Sequence, residues 1–126
     1  MASHSILVVE DERNLRRVMA AWLEGEGLNA EGAATAEEAL ERVQAGGVDL
    51  VITDHRLGPG RSGTDLLHDL RAERPELPVI IVTAYGNVEH AVAAMQAGAD
   101  HYLTKPVEEA DLVAIVRQLL TRSGHE

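Results

Sequence analysis

Val48-Asp49-Leu50-Val51-Ile52-Thr53-Asp54-His55-Arg56-Leu57-Gly58-Pro59-Gly60-Arg61-Ser62-Gly63 holds a short apolar run that ends on a carboxylate and breaks at once into turn formers. Leu50 to Thr53 are too few and too β-branched for a helix, which predicts a buried strand with Asp54 at its carboxyl end. In an open α/β sheet, ligands occupy the crevice beyond the carboxyl ends of the strands, so Asp54 falls where chemistry would occur. A single Asp after a strand is more often a turn residue or a helix cap. Its meaning therefore rests on the other strand ends.

On the N-terminal side, Ile6-Leu7-Val8-Val9 runs into Glu10-Asp11-Glu12, a first buried strand with acids at its carboxyl end. Leu15, Val18, Met19, Trp22 and Leu23 keep helical spacing, predicting a one-sided helix closed by Gly25 and Gly27. Residues 28–33 form a weak second strand, and Thr35-Ala36-Glu37-Glu38 has capping-box spacing for a second helix through Leu40 and Val43 to Gly46-Gly47. Beyond the central loop, Leu66, Leu67 and Leu70 mark a third helix ending before Pro75, and Pro78 to Thr83 make a fourth strand. Asn87 is the expected cap of a fourth helix with Val88, Ala91, Val92 and Met95 inward and Asn87, His90, Ala93 and Ala94 outward, closed by Gly98. His101 to Thr104 form a fifth strand. A fifth helix carries Leu112, Val113, Ile115, Val116, Leu119 and Leu120 inward, before a loose polar tail from Thr121.

Alternating strands and helices with right-handed crossovers predict an α/β fold, a doubly wound five-stranded parallel sheet of order 2-1-3-4-5. That order sets the first and third strands side by side, so Glu10, Asp11 and Asp54 converge at the switch point. Clustered carboxylates suit a hard cation, and Mg²⁺ held by one or two carboxylates and waters fits best. Lys105, after the fifth strand, would offset the crowded negative charge, and Thr83, ending the fourth, would offer a hydroxyl. These are the parts of phosphoryl transfer, with Asp54 as carboxylate nucleophile and Thr83 and Lys105 holding phosphoryl oxygens.

Composition narrows the alternatives. At 126 residues the chain can bury roughly two-thirds of its unfolded surface without a staple. The absence of Cys excludes disulfides, thiolate zinc sites and thiol catalysis. A net charge of −10 repels phosphate backbones, and one Trp, two Tyr and no Phe provide no stacking platform for bases. No apolar run approaches the roughly 18 residues of a membrane span, so the chain reads as soluble and cytoplasmic, without direct nucleic-acid or membrane contact. The six His show no ligand spacing.

Ile-Leu-Val-Val-Glu-Asp-Glu at 6–12, Asp54, Thr83-Ala84 and Tyr102-Leu103-Thr104-Lys105-Pro106 resemble, in order, the response-regulator receiver domains of two-component signalling. The likeness implies one receiver domain over residues 1–126, with a core over 5–121 and a polar tail at 122–126. It implies that Asp54 takes a phosphoryl group from a histidine kinase or phosphotransfer protein. It further implies Mg²⁺ on Glu10, Asp11, Asp54 and the backbone carbonyl of Arg56, phosphoryl contacts from Thr83 and Lys105, and a cis Lys105-Pro106 bond. Thr83 and Tyr102 would be the switch residues, changing the surface of the fourth helix, fifth strand and fifth helix, with a phosphorylation-dependent homodimer as one outcome. The chain catalyses only its own phosphorylation and dephosphorylation on this reading.

Two departures stand out. The first acid is Glu10 where the family usually has Asp, and Pro59 and Gly63 follow Asp54 by one residue more than usual. The longer loop resembles receivers attached to histidine kinases, whereas Ala84-Tyr85-Gly86-Asn87 resembles those of enhancer-binding activators. Rival readings are a phosphorylation-independent binding module, a flavodoxin-like flavin carrier, and a Mg²⁺-dependent phosphatase. The last normally needs a second Asp where Arg56 stands, and the acid-lined crevice repels the phosphate of a flavin. The receiver either stands alone or belongs to a longer regulator, and Met1, if native, places it at the start of the chain.

Overall fold

The computed structural model describes residues 4–57, 60–84 and 88–124, apart from the side chains of Val88, His90, Arg122 and Ser123. The strands are β1 (Ser5–Val9), β2 (Asn29–Ala33), β3 (Leu50–Asp54), β4 (Val79–Thr83) and β5 (His101–Thr104). They alternate with α1 (Arg13–Gly25), α2 (Ala36–Gln44), α3 (Gly63–Glu73), α4 (Val88–Gln96) and α5 (Glu109–Gly124). All pair in parallel in one sheet of order β2-β1-β3-β4-β5, as the alternation predicted. β3 and β4 are buried along their whole length, which is why they read as continuous apolar runs. Edge strand β2 is mostly exposed and gave the weakest signal.

Alternating side chains supply two cores. Leu7, Val9, Val51, Val79 and Ile81 meet Ala36, Ala39 and Val43 of α2, Leu66, Leu67 and Leu70 of α3, and Ala94 of α4. Ile6, Val8, Leu50, Ile52, Ile80 and Val82 meet Met19 and Leu23 of α1 and Leu112, Val116, Leu119 and Leu120 of α5 on the opposite face. Each fully buried Leu or Ile contributes about 1.5–3 kcal/mol. The register pairs Val9 with Thr53, Asp54 with Val82 and Thr83 with Thr104. Residues at or just beyond these strand ends therefore come out level at one rim of the sheet.

Helix starts follow the local chemistry. Thr35 Oγ1 accepts the backbone N–H of Glu38 at 3.1 Å, while the Glu38 carboxylate accepts the N–H of Ala34 rather than that of Thr35, so the predicted box is shifted by one residue. A complete capping box instead opens α3, where Ser62 and Asp65 accept each other's backbone N–H.

Three expectations about helix faces and ends are corrected. Val18 is 42 % exposed, because the inward stripe of α1 is centred on Met19 and Leu23 and leaves Val18 at its margin. In α4, Ala94 is buried while Val92 and Met95 are 47 % and 46 % exposed, reversing their expected sides. The helical period admits two stripes there. The one facing the sheet carries small side chains, Ala94 and the half-buried Ala91, and the bulkier pair falls on the outer arc. Finally, α5 continues to Gly124, so the backbone from Thr121 extends the helix instead of leaving it. The Asn87 cap, the inward side chain of Val88 and the outward one of His90 lie outside the described residues, as do Pro59 and Tyr85.

Candidate phosphoryl-transfer site

At the carboxyl rim, the chain leaves β1 with Glu10 turned inward and only 1 % exposed. Glu10 Oε2 accepts the backbone N–H of Glu12 at 3.0 Å. The Lys105 ammonium stands 3.1 Å from Oε1 as its ion-pair partner. Asp11, next in the chain, is exposed. Asp54 closes β3, and its Oδ2 accepts a hydrogen bond from Lys105 Nζ at 2.8 Å. The Arg56 N–H approaches Asp54 Oδ1 at 3.3 Å. One oxygen each from Glu10, Asp11 and Asp54 lies within 4.8 Å of the others.

Thr83 is buried at the end of β4, and its carbonyl accepts the backbone N–H of Lys105 at 2.8 Å, which fixes the root of the Lys side chain beside the acids. The Lys105-Pro106 peptide is cis. Glu10, Asp11, Asp54, Arg56, Thr83 and Lys105, together with Glu12 and Ala84, line one open cleft of about 390 Å³. Tyr102 is half-buried on β5, packed against the core shared by α2, α3 and α4, and absent from that lining. Its surroundings raise the phenol above its ordinary value by desolvation.

The electrostatics follow from crowding. Burial pushes the Glu10 carboxyl up to about 7, with the Asp54 charge adding to the rise and the Glu12 N–H and Lys105 opposing it. Burial works against the Lys105 ammonium, but hydrogen bonds and charge from Asp54 and Glu10 outweigh it and hold Lys105 above its ordinary value. Three carboxylates that bring one oxygen each within 4.8 Å of the others form the kind of donor set a hard divalent cation satisfies.

Sequence reasoning missed the groups that hold this rim in place. Arg16 of α1 donates to the Glu10 carbonyl at 2.8 Å and packs its stem over Gly32, where a Cβ would lie 2.9 Å from Arg16 Cδ. Gly63 begins α3 directly against β3: its N–H donates to the His55 carbonyl at 2.9 Å, and a Cβ there would stand 2.0 Å from the Asp54 carbonyl oxygen. Thr64 and the His55 ring meet at 3.0 Å beside it. The spacing of Gly63 from Asp54 was visible in the sequence. Its backbone contact was not, because it needs the packing of α3 on β3.

Comparison with known proteins agrees with this geometry. Residues 6–117 match the response regulator receiver domain. The sensory transduction protein RegX3 of Mycobacterium tuberculosis is 40% identical over 122 residues, covering 97% of this chain and 53% of RegX3. The two-component response regulator PhoP of Pseudomonas aeruginosa is 42% identical over 119 residues, 94% of this chain and 52% of PhoP. The chain thus spans about half the length of these curated relatives. Among solved structures, a CheY-like receiver domain protein from Methanospirillum hungatei superposes with a TM-score of 0.91 at 34% identity, covering 98% of both chains. The receiver domain of NtrX from Brucella abortus gives 0.86 at 34%, over 91% of this chain and 97% of that one. With its sheet order, its acid-lined rim and the match over most of its length, the chain belongs to the response regulator receiver domain family.

Proposed function

We propose that this chain is a phosphoacceptor switch in which Asp54 takes a phosphoryl group from the phosphohistidine of a histidine kinase or phosphotransfer protein, with Mg²⁺ as cofactor. The observation that carries the reading is the Lys105 ammonium 2.8 Å from Asp54 Oδ2, in a cleft where Glu10 and Asp11 add their oxygens. Asp54 supplies an oxygen that forms the new bond to phosphorus as the phosphorus–nitrogen bond of the donor breaks, and the leaving imidazole takes up a proton. Lys105 neutralises charge on the transferring oxygens, and Thr83 at the neighbouring strand end donates its hydroxyl to them. Glu10, Asp11, Asp54 and the carbonyl of Arg56 would hold the cation. When bound, the cation supplies further charge neutralisation at the phosphoryl group.

The new charge draws Thr83 inward, and Tyr102 follows, altering the face of α4, β5 and α5 presented to an output partner or a second copy. Intact mass after incubation with acetyl phosphate, with and without Mg²⁺, tests the chemistry. The expected result is one Mg²⁺-dependent phosphoryl adduct on the wild type and none on Asp54→Asn. An adduct that persists on the folded mutant, or none on the folded wild type, would overturn the assignment.

A further inference from the structure

Arg16 of α1 brings a positive charge to the rim that gathers Glu10, Asp11 and Asp54. Its guanidinium donates at 2.8 Å to the carbonyl of the peptide that joins Glu10 to Asp11. By charge alone, a guanidinium beside the acids weakens their hold on a divalent cation. The chain nevertheless makes room for it. Gly32, paired with Val8 inside edge strand β2, lies under the Arg16 stem, and a Cβ there would stand 2.9 Å from Cδ and 3.2 Å from Cγ and Nε. The φ of Gly32 is outside the left-handed region, so its backbone makes no demand for glycine. A glycine inside a strand weakens it and often marks the close approach of another group, which here is the Arg16 stem.

The consequence falls on Asp11. Glu10 is held by its own contacts: its N–H donates to the Ala33 carbonyl at 3.0 Å, Oε2 accepts the Glu12 N–H at 3.0 Å, and Lys105 stands 3.1 Å from Oε1. Asp11 is exposed, and no hydrogen bond or ion pair holds its carboxylate among the described residues. The peptide before it sets where it points, and Arg16 holds the carbonyl of that peptide. We propose, resting on the acid cluster as the cation site of the proposed function, that Arg16 is a positioning residue. Seated on Gly32, it fixes the Glu10–Asp11 peptide and so presents the Asp11 carboxylate to the cation, against the effect of its own charge.

The test is titration with Mn²⁺, read by loss of the free-ion electron paramagnetic resonance signal. It uses the wild type, Arg16→Met, Gly32→Ala, the double variant and Arg17→Met, each checked for folding by circular dichroism. Arg17, next in α1, is exposed and serves as the charge control. Losing a group that orients a metal ligand costs about 10-fold in affinity, so Arg16→Met should weaken Mn²⁺ binding by that factor, and Gly32→Ala, which displaces the guanidinium without removing it, by about 3-fold. The double variant should stay within about 2-fold of Arg16→Met, since both changes break one contact. Arg17→Met should leave binding unchanged or slightly tighter. Tighter binding in Arg16→Met would overturn the proposal, because the guanidinium would then act by charge alone. Unchanged affinity of the folded protein in Arg16→Met or Gly32→Ala would overturn it as well, since a purely structural role lowers the unfolding midpoint only. Weakening in Arg17→Met equal to that in Arg16→Met would do the same. Where Arg16→Met does not fold, Arg16→Gln replaces it and Gly32→Ala carries the test by itself. Failure of the folded wild type to bind Mn²⁺ saturably would overturn the cation reading itself.

Discussion

Replacing Gly63 by Ala pushes a methyl group into the backbone that carries Asp54, the proposed acceptor. The new Cβ would stand 2.0 Å from the Asp54 carbonyl oxygen and 3.0 Å from His55 Cα. Ordinary contact begins near 3.4 Å, so the start of α3 and the end of β3 must separate by about 1.4 Å. Neither neighbour is a side chain that can rotate away, and the Gly63 N–H to His55 carbonyl bond resists the separation. Overpacking against backbone at this site belongs at the upper end of the usual range, about 3 kcal/mol. At a urea dependence of about 1.5 kcal/mol/M, the unfolding midpoint falls by about 2 M. The same movement displaces Asp54 from Lys105, so phosphorylation by acetyl phosphate slows about 100-fold in the protein that remains folded. Gly25→Ala is the matched control, because it has nothing within 4 Å of its Cβ position and lies in the last turn of α1. It should be neutral or stabilise by about 0.5 kcal/mol. Urea melts and adduct formation by mass spectrometry check both variants. A loss below about 0.5 kcal/mol in Gly63→Ala, with unchanged phosphorylation, would refute the reasoning.

Arg71 donates to the carbonyls of Gly98, Arg74 and Leu77 and to Asp100, whose carboxylate also accepts the Val79 N–H, so it joins the end of α3 to the start of β4 and the turn after α4. Arg71→Met should cost about 2–3 kcal/mol in urea unfolding and speed amide exchange at Ala99 and Asp100; an unchanged midpoint would contradict that role. Glu10 titrates near 7 in the folded chain against 4.5 ordinarily, so between those values the folded form binds more protons than the unfolded one. Stability of chelator-treated protein should therefore be fully present below about pH 4.5 and fall by up to roughly 3 kcal/mol as pH rises through 7, a slope that Glu10→Gln removes. Guanidinium melts across that range measure it, and a flat or rising profile from this group would exclude the burial assigned to Glu10. Thr35→Ala deletes the hydroxyl that accepts the Glu38 N–H and should destabilise by about 1 kcal/mol in thermal melts, with the loss confined to α2 in exchange measurements.

Strand number, strand order and the acids at the rim were legible in the residues alone. A parallel strand buried on both faces leaves an unbroken apolar run, as in Leu50 to Ile52 and Val79 to Val82, and its end is marked where the chain turns polar, as at Asp54. Right-handed crossovers then leave few ways to arrange five such units. The helix faces were less secure, because the helical period of α4 admits two stripes, and Ala94 rather than Val92 or Met95 is the residue that packs on the sheet. Tertiary packing alone could bring Lys105 between Glu10 and Asp54 across separations of 95 and 51 residues in the chain. It also made Gly63 a backbone contact of Asp54 and set Arg16 on the Glu10 carbonyl. Local sequence carries periodicity and turn chemistry, which act over a few residues. Counter-ion placement, desolvation and close backbone approach depend on what other segments bring to the same few ångströms.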